Sequence, residues 1–124
     1  MASVPYKFAT LGSTNLQVVR AGQTANLKGI VAVNAAAYEV FVKLYWFAPG
    51  EVTAGTDSPT VGTTVPELTF AVPALGTTTG GLNVSFPDGI TEVGNLWVAV
   101  TKLGTDADAT AVLANDAVVT LLVE

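Results

Sequence analysis

The side chains best suited to chemistry in this 124-residue chain are carboxylates, because it contains no histidine and no cysteine. Asp106 and Asp108 stand two apart, a spacing in which oxygen ligands can share a hard cation such as Ca²⁺. The glycine and distant glutamate of an EF-hand loop are missing. Aspartates in turns also accept hydrogen bonds from nearby backbone N–H groups. We therefore favour a solvated turn over a metal site and expect neither a metal nor a cofactor.

Covalent or acid–base catalysis finds little support in the sequence. An activated nucleophile needs a base, and the commonest base, histidine, is absent. Paired carboxylates could act together in principle, but turn chemistry accounts for the aspartates. The five basic residues are scattered rather than clustered. They are Lys7, Arg20, Lys28, Lys43 and Lys102. The sequence thus predicts a protein that is not an enzyme.

Composition points to surfaces that are covered by other protein. Half the residues are hydrophobic and 12% are charged, against about 25% charged in a typical soluble domain. The net charge of −5, with no basic patch, argues against nucleic-acid binding. The most apolar stretch, residues 29–48, contains charged residues and is typical of strands, so we expect no membrane partner. A weakly charged surface suits a protein that assembles.

The stretch from Tyr38 to Phe47 is a long predicted strand, rich in β-branched and aromatic residues. Alternate residues of a strand point to opposite faces. One face is apolar and consists of Tyr38, Val40, Val42, Leu44 and Trp46. The other face consists of Glu39, Phe41, Lys43, Tyr45 and Phe47. A single core needs one apolar face, so the second face needs another layer, another subunit or a larger assembly.

Further strand-like segments are separated by turn signals at intervals of about 8–15 residues. They cover residues 13–20, 24–34, 66–72, 82–86, 95–103 and 117–123. In the second of them, Leu27, Val31 and Val33 are predicted to share one face, with Gly29 a candidate bulge. The pattern predicts an all-β protein: an antiparallel β-sandwich, jelly-roll or Greek-key-like, with about seven to eight strands. We expect one sandwich domain over residues 13–124.

Residues 1–12 contain Pro5, Gly12 and two aromatic residues, Tyr6 and Phe8. They are either a frayed terminus or an N-terminal arm that lies on a neighbour. Trp46 is predicted in the core, whereas Trp97 is a candidate for a subunit interface. The predicted interface residues are Tyr6, Phe8, Phe41, Tyr45, Phe47 and Trp97. The second face, Phe41, Tyr45 and Phe47, together with Trp97, predicts a homotrimer.

A run of short motifs resembles a known class of proteins. The chain reads KLY from Lys43, GTDSP from Gly55, FPDGI from Phe86, LWVAVT from Leu96 and TDADATAV from Thr105, before a closing hydrophobic strand. This order is similar to that of small all-β virion proteins of tailed bacteriophages, over about residues 25–124. The link from Thr60 to Pro66 is longer than in that pattern. The resemblance implies a trimeric β-sandwich on a capsid surface.

The resemblance implies that the chain is a structural virion protein. We expect a capsid decoration (cement) protein that binds the major capsid protein on the outer capsid surface and stabilises the shell. The alternative is a receptor- or carbohydrate-binding module of a head fibre or tail. Sugar sites expose an aromatic ring beside polar side chains, and Tyr38 or Tyr45 could supply one. Binding to glycans without binding to capsids would favour the alternative.

Overall fold

A computed structural model describes residues 4–10, 16–19, 25–47, 59–75, 80–91 and 95–124. Within these ranges the secondary structure consists of strands, with no helix. The strands are β1 (Val4–Ala9), β2 (Gln17–Val18), β3 (Leu27–Asn34), β4 (Val40–Phe47), β5 (Leu68–Val72), β6 (Gly81–Ile90), β7 (Asn95–Thr101) and β8 (Ala117–Val123). Of the predicted strand at 13–20, the structure shows the short β2, and residues 13–15 and 20 lie outside the described residues.

The strands form two four-stranded sheets. Sheet A has the order β1-β8-β3-β6, and sheet B has the order β2-β7-β4-β5. The antiparallel pairs β1·β8, β2·β7, β3·β6 and β4·β5 are those of one long hairpin rolled into two layers. This is the arrangement of an eight-stranded jelly roll. The predicted antiparallel β-sandwich is confirmed.

The core lies between the sheets and follows the alternation of β4 and β8. On β4 the predicted inner face is confirmed, since Val40, Val42, Leu44 and Trp46 are buried. On β8 every second residue from Ala117 to Val123 is buried. Each fully buried aliphatic side chain contributes about 1.5–3 kcal/mol relative to exposure. Aromatic side chains pack between the edge strands of the two sheets: the ring centres of Phe70 in β5 and Phe86 in β6 are 6.0 Å apart.

A bulge in β3 decides which of its residues face the core. The register of β3 with both neighbours shifts between Leu27 and Gly29, as the candidate bulge predicted. A bulge adds one residue and changes the face of those that follow. Leu27 is therefore buried, whereas Val31 and Val33 point outward. The prediction that these three share a face is wrong, because the alternation was counted through the bulge.

The predicted N-terminal arm is also wrong over Val4–Ala9, which form β1. This strand pairs with β8 from Val4↔Val123 to Ala9↔Val118. Tyr6 and Phe8 pack against the core, and Pro5 and Lys7 alternate with them. Proline and lysine are typical of edge strands, where they oppose further pairing. Residues 1–3, 11 and 12 of the predicted arm lie outside the described residues.

Candidate assembly surfaces

The outer face of sheet B is covered by the chain itself. The connection between β7 and β8, residues 102–116, passes over it. A Cβ atom added to Gly104 would lie 2.9 Å from the ring of Phe41, so the connection runs directly against that side chain. Tyr45 has 0% of its surface exposed. The sequence left three possible covers for the second face of β4: another layer, another subunit or a larger assembly. The structure shows the first, a layer formed by the same chain.

Lys43 joins this covering segment to the sheet. Its side chain is 0% exposed, and its Nζ atom donates hydrogen bonds to the carbonyl oxygens of Thr105, at 2.7 Å, and Asp108, at 3.0 Å. Burial lowers the pKa of Lys43, while the carboxylates of Asp108 and Asp106 oppose that shift. We interpret this buried ammonium group as a structural clamp, since two of its three N–H donors bind carbonyl oxygens of the connection.

The two aspartates of the candidate cation motif have different surroundings. Asp106 is exposed, whereas Asp108 turns inward and accepts hydrogen bonds from the Leu103 N–H at 3.0 Å and the Thr110 hydroxyl at 2.6 Å. Burial alone would raise the pKa of Asp108, but the bonds from Thr110 and Leu103, with the charge of Lys43, hold it below its usual value. No group of three potential metal ligands is found in the described part of the chain.

Tyr45 and Trp97 are neighbours on the same outer face, because they are register partners in β4 and β7. The Tyr45 hydroxyl and the Trp97 Nε1 atom are buried, and neither has a hydrogen-bond partner among the described residues. Burial, together with the charges of Asp106 and Glu67, raises the pKa of Tyr45 to about 12. Trp97 is half-buried, so part of its ring stays accessible. Phe47 ends β4, and its side chain lies outside what the structure describes.

Five of the six predicted interface residues, all but Phe47, fall in two places. Phe41, Tyr45 and Trp97 lie on the outer face of sheet B, under or beside the chain's own covering segment. Tyr6 and Phe8 are half-buried on the inner side of sheet A. They do not form one continuous exposed surface.

The outer face of sheet A carries a cluster of exposed apolar residues that sequence reasoning missed. Register pairs align its outward residues in three rows across the four strands. The rows are Pro5–Leu122–Gly29–Ser85, Lys7–Thr120–Val31–Asn83 and Ala9–Val118–Val33–Gly81. We call these twelve positions the valine face. Val33 is 56% and Val31 39% exposed, and Lys7 is the one charged residue of the twelve. The two-sided apolar pattern of residues 117–123 was the signal available in the sequence.

Tyr38 lies in a small polar cluster at one end of the sandwich. Its hydroxyl donates to Asp116 Oδ2 at 2.6 Å, and Lys102 Nζ stands 4.6 Å from the centre of its ring. Burial and the hydrogen bond to Asp116 raise the pKa of Tyr38. A lysine over the ring occupies the face on which a sugar would stack.

No family model, curated protein or solved structure matches this chain. Among the residues that the structure describes, no helix is long and apolar enough to cross a membrane. The functional proposal therefore rests on the surfaces and buried groups of the jelly roll.

Proposed function

We propose that the chain is a structural virion protein, a capsid decoration (cement) protein on the outer surface of a tailed-phage capsid, where it binds the major capsid protein. The observation that carries the proposal is the valine face, on which six of the twelve outward residues have apolar side chains and one is charged. Contiguous apolar surfaces of this kind mark interaction sites. Jelly rolls occur in viral capsid and lectin domains, although the fold alone does not define a function.

The buried polar groups support a structural role. Lys43 and Asp108 are both buried, and the hydrogen bonds shown for their side chains go to backbone groups and to the Thr110 hydroxyl. A catalytic base or nucleophile needs a free position facing a substrate. The aromatic rings weighed for a sugar site are also engaged, since Tyr45 is buried and Lys102 covers Tyr38. These contacts favour the decoration protein over the carbohydrate-binding module.

A decoration protein stabilises its shell by mass action. A ligand that binds the assembled shell and not its dissociated subunits shifts the equilibrium toward the shell. Several weak contacts presented together by an oligomer bind more tightly than each alone. No chemical change in either component is needed.

The homotrimer remains a prediction. The prediction takes Phe41, Tyr45, Phe47 and Trp97 as a second free face, but the chain itself covers Tyr45 and contacts Phe41. Trp97 is only partly buried, so self-association has to use Trp97 or other surfaces, and the mass in solution decides the number of copies.

Co-sedimentation tests the proposal directly. Shells assembled from the major capsid protein encoded in the same genome are mixed with the purified chain over a concentration series and pelleted. We expect saturable binding at a fixed ratio of chain to capsid protein. A chain that stays in the supernatant at every concentration contradicts the proposal. Binding to immobilised glycans instead would favour the fibre or tail module.

A further inference from the structure

We propose that the outer edge of β6 is a strand-pairing site whose partner is β6 of a second copy of this chain. The two strands run antiparallel about a two-fold axis at Asn83, perpendicular to sheet A. The contact extends sheet A in its own plane, so it leaves the valine face free for another protein. The inference does not depend on the proposed role in a virion.

Among the described strands, β6 is the one edge strand that lacks protection against pairing. The edge strands are β1 and β6 in sheet A and β2 and β5 in sheet B, and natural edges are blunted by short length, by proline or by lysine. β2 has two residues, and the five residues of β5 lie between Pro66 and Pro73. β1 carries Pro5 and Lys7. In β6, residues 81–86 include neither a proline nor a charged residue.

Alternate backbone groups of β6 point away from the sheet. The Asn34 N–H donates to the Gly80 carbonyl oxygen at 2.6 Å, which makes these two residues a hydrogen-bonded pair. Such pairs recur at every second residue of an antiparallel ladder, so the even-numbered residues of β6 bond to β3. Gly81, Asn83 and Ser85 therefore direct their N–H and C=O groups to the open edge, where the described part of the chain supplies no neighbouring strand.

The side chains at this edge are apolar on the inner side of the sheet and small or polar on the outer side. Leu82 and Phe86 pack against the core but stay partly exposed, whereas Asn83 and Ser85 are exposed. The edge thus offers unpaired backbone groups beside apolar surface that a further strand would bury. These are the features by which sheet edges recognise extended segments.

The edge is complementary to itself. With the axis at Asn83, Gly81 pairs with Ser85 of the second copy, and the two Asn83 residues pair with each other. Each of these pairs exchanges two backbone hydrogen bonds, so the outward donors and acceptors of all three residues are used. The two Asn83 side chains meet on the same face, and each carboxamide offers a donor and an acceptor to the other.

Charged groups lie away from the axis. Asp88 is the one charged residue of β6 and follows the paired residues. At that same end of β6, Lys28 Nζ donates to the Pro87 carbonyl oxygen at 2.7 Å and stands 4.0 Å from Glu124. Lys7 lies at the opposite edge of sheet A, and β5, which packs under β6, carries no charge. Pairing of the two strands therefore brings no like charges together.

Sedimentation equilibrium of the full chain, up to millimolar concentration, tests the pairing. One strand pair is a small contact, so we expect a reversible dimer that forms as the concentration rises. Asn83→Pro removes an N–H that faces the open edge and leaves the bonds to β3 intact. The loss of the central bonds should raise the dissociation constant at least about tenfold.

A charge at the same position gives a second test. Asn83→Lys should also weaken the dimer at least about tenfold, because like charges then lie directly opposite each other at the axis. Val65→Lys is the matched control: Val65 is 64% exposed and lies outside both sheets, so self-association should be unchanged. Thermal unfolding checks that each variant is folded.

Mixing variants tests the two-fold axis itself. In a mixture of Asn83→Lys and Asn83→Asp, the introduced charges of opposite sign face each other, so the mixture should associate more tightly than either variant alone. An unchanged dissociation constant in a folded Asn83→Pro or Asn83→Lys variant overturns the proposal, and a trimeric wild type overturns the two-fold arrangement. A wild-type chain that stays monomeric at millimolar concentration also overturns it and leaves the edge for a strand of another protein.

Discussion

The ammonium nitrogen of Lys43 lies 3.0 Å from the backbone carbonyl oxygen of Asp108, so a buried charge in β4 holds the β7–β8 connection against sheet B. A buried lysine costs desolvation free energy, which lowers its pKa. The hydrogen bonds to two carbonyl oxygens and the nearby carboxylates offset part of that cost. These hydrogen bonds form only when the β7–β8 connection lies in one position on sheet B. Lys43 therefore fixes a segment that has little regular secondary structure.

Replacing Lys43 should destabilise the fold. Lys43→Ala removes both hydrogen bonds and opens a cavity, and the Asp108 carbonyl oxygen loses its donor while that of Thr105 keeps the Asp108 N–H at 3.1 Å. We therefore expect a loss of about 3–5 kcal/mol in the free energy of unfolding. Lys43→Met keeps the volume and should cost less. Urea unfolding at pH 7 measures both. Lys28→Ala serves as control, because the Lys28 side chain is partly exposed and 4.0 Å from Glu124, and should cost less than about 1 kcal/mol. Equal losses at the two lysines would contradict the clamp.

Removing the hydroxyl of Tyr45 should not destabilise the protein. The hydroxyl is buried without a hydrogen-bond partner among the described residues, and an unpaired buried polar group costs about 1–3 kcal/mol. Tyr45→Phe is therefore expected to unfold at the same or a higher urea concentration at pH 7. A loss of more than about 1 kcal/mol would show that the hydroxyl has a partner.

The same substitution should change the response to alkali. The pKa of Tyr45 is raised from 10.0 to about 12 in the folded chain, so the folded state holds the phenolic proton after the unfolded state has lost it. Stability is then lost as pH rises from about 10 to about 12, by at most about 2.7 kcal/mol for two pKa units. The difference between wild type and Tyr45→Phe isolates this loss from that of Tyr38. A difference independent of pH would contradict it.

Asp108 should contribute to stability above its unfolded pKa and lose that contribution in acid. Its pKa is lowered from 3.8 in the folded chain, so the folded state binds its proton later than the unfolded state as the pH falls. Asp108→Asn should therefore be less stable than wild type at pH 7, with the gap closing below about pH 4. Asp106→Asn, an exposed change in the same turn, should show a much smaller gap. The measurement is urea unfolding between pH 2 and pH 7.

Strand alternation predicted which residues of β4 face the core, but it failed for β3. Val40, Val42, Leu44 and Trp46 were assigned to the core correctly, because an uninterrupted strand keeps its period. Val33 was assigned wrongly, because the bulge before Gly29 reverses the faces of the residues that follow. A bulge can be suspected from a glycine, but its effect on register depends on both neighbouring strands.

Surfaces were predicted less well than strands. The second apolar face of β4 correctly indicated a need for cover, yet the sequence could not show that residues 102–116 supply it. That segment carries few large apolar residues, and its position depends on Lys43 reaching two carbonyl oxygens. The valine face arises only when outward residues of β3 and β8 become neighbours, and these lie about ninety residues apart in the chain.

The N-terminal strand should be part of the stable fold. An arm could be removed without loss of the sandwich, but β1 pairs with β8 from Val118 to Val123, and Phe8 packs against the core. We now expect Phe8→Ala to cost about 2–4 kcal/mol, somewhat below the value for a fully buried phenylalanine. Val4→Ala, at an exposed position on the same strand, is the control. Thermal unfolding compares the two, and equal midpoints would restore the view of residues 1–12 as an arm.

Shells that carry the chain should resist heat better than bare shells. The stabilisation comes from binding to the assembled state, so it should rise with added chain and saturate when the sites are filled. It should depend weakly on salt, because 12% of the residues are charged and exposed ion pairs contribute little. Melting bare and decorated shells over a concentration series measures both effects. Trp97→Ala should lower the effect by about 2 kcal/mol if its accessible ring edge contacts the shell or a neighbour. Equal melting temperatures at saturating chain would remove the cement function and leave the fibre or tail module as the better reading.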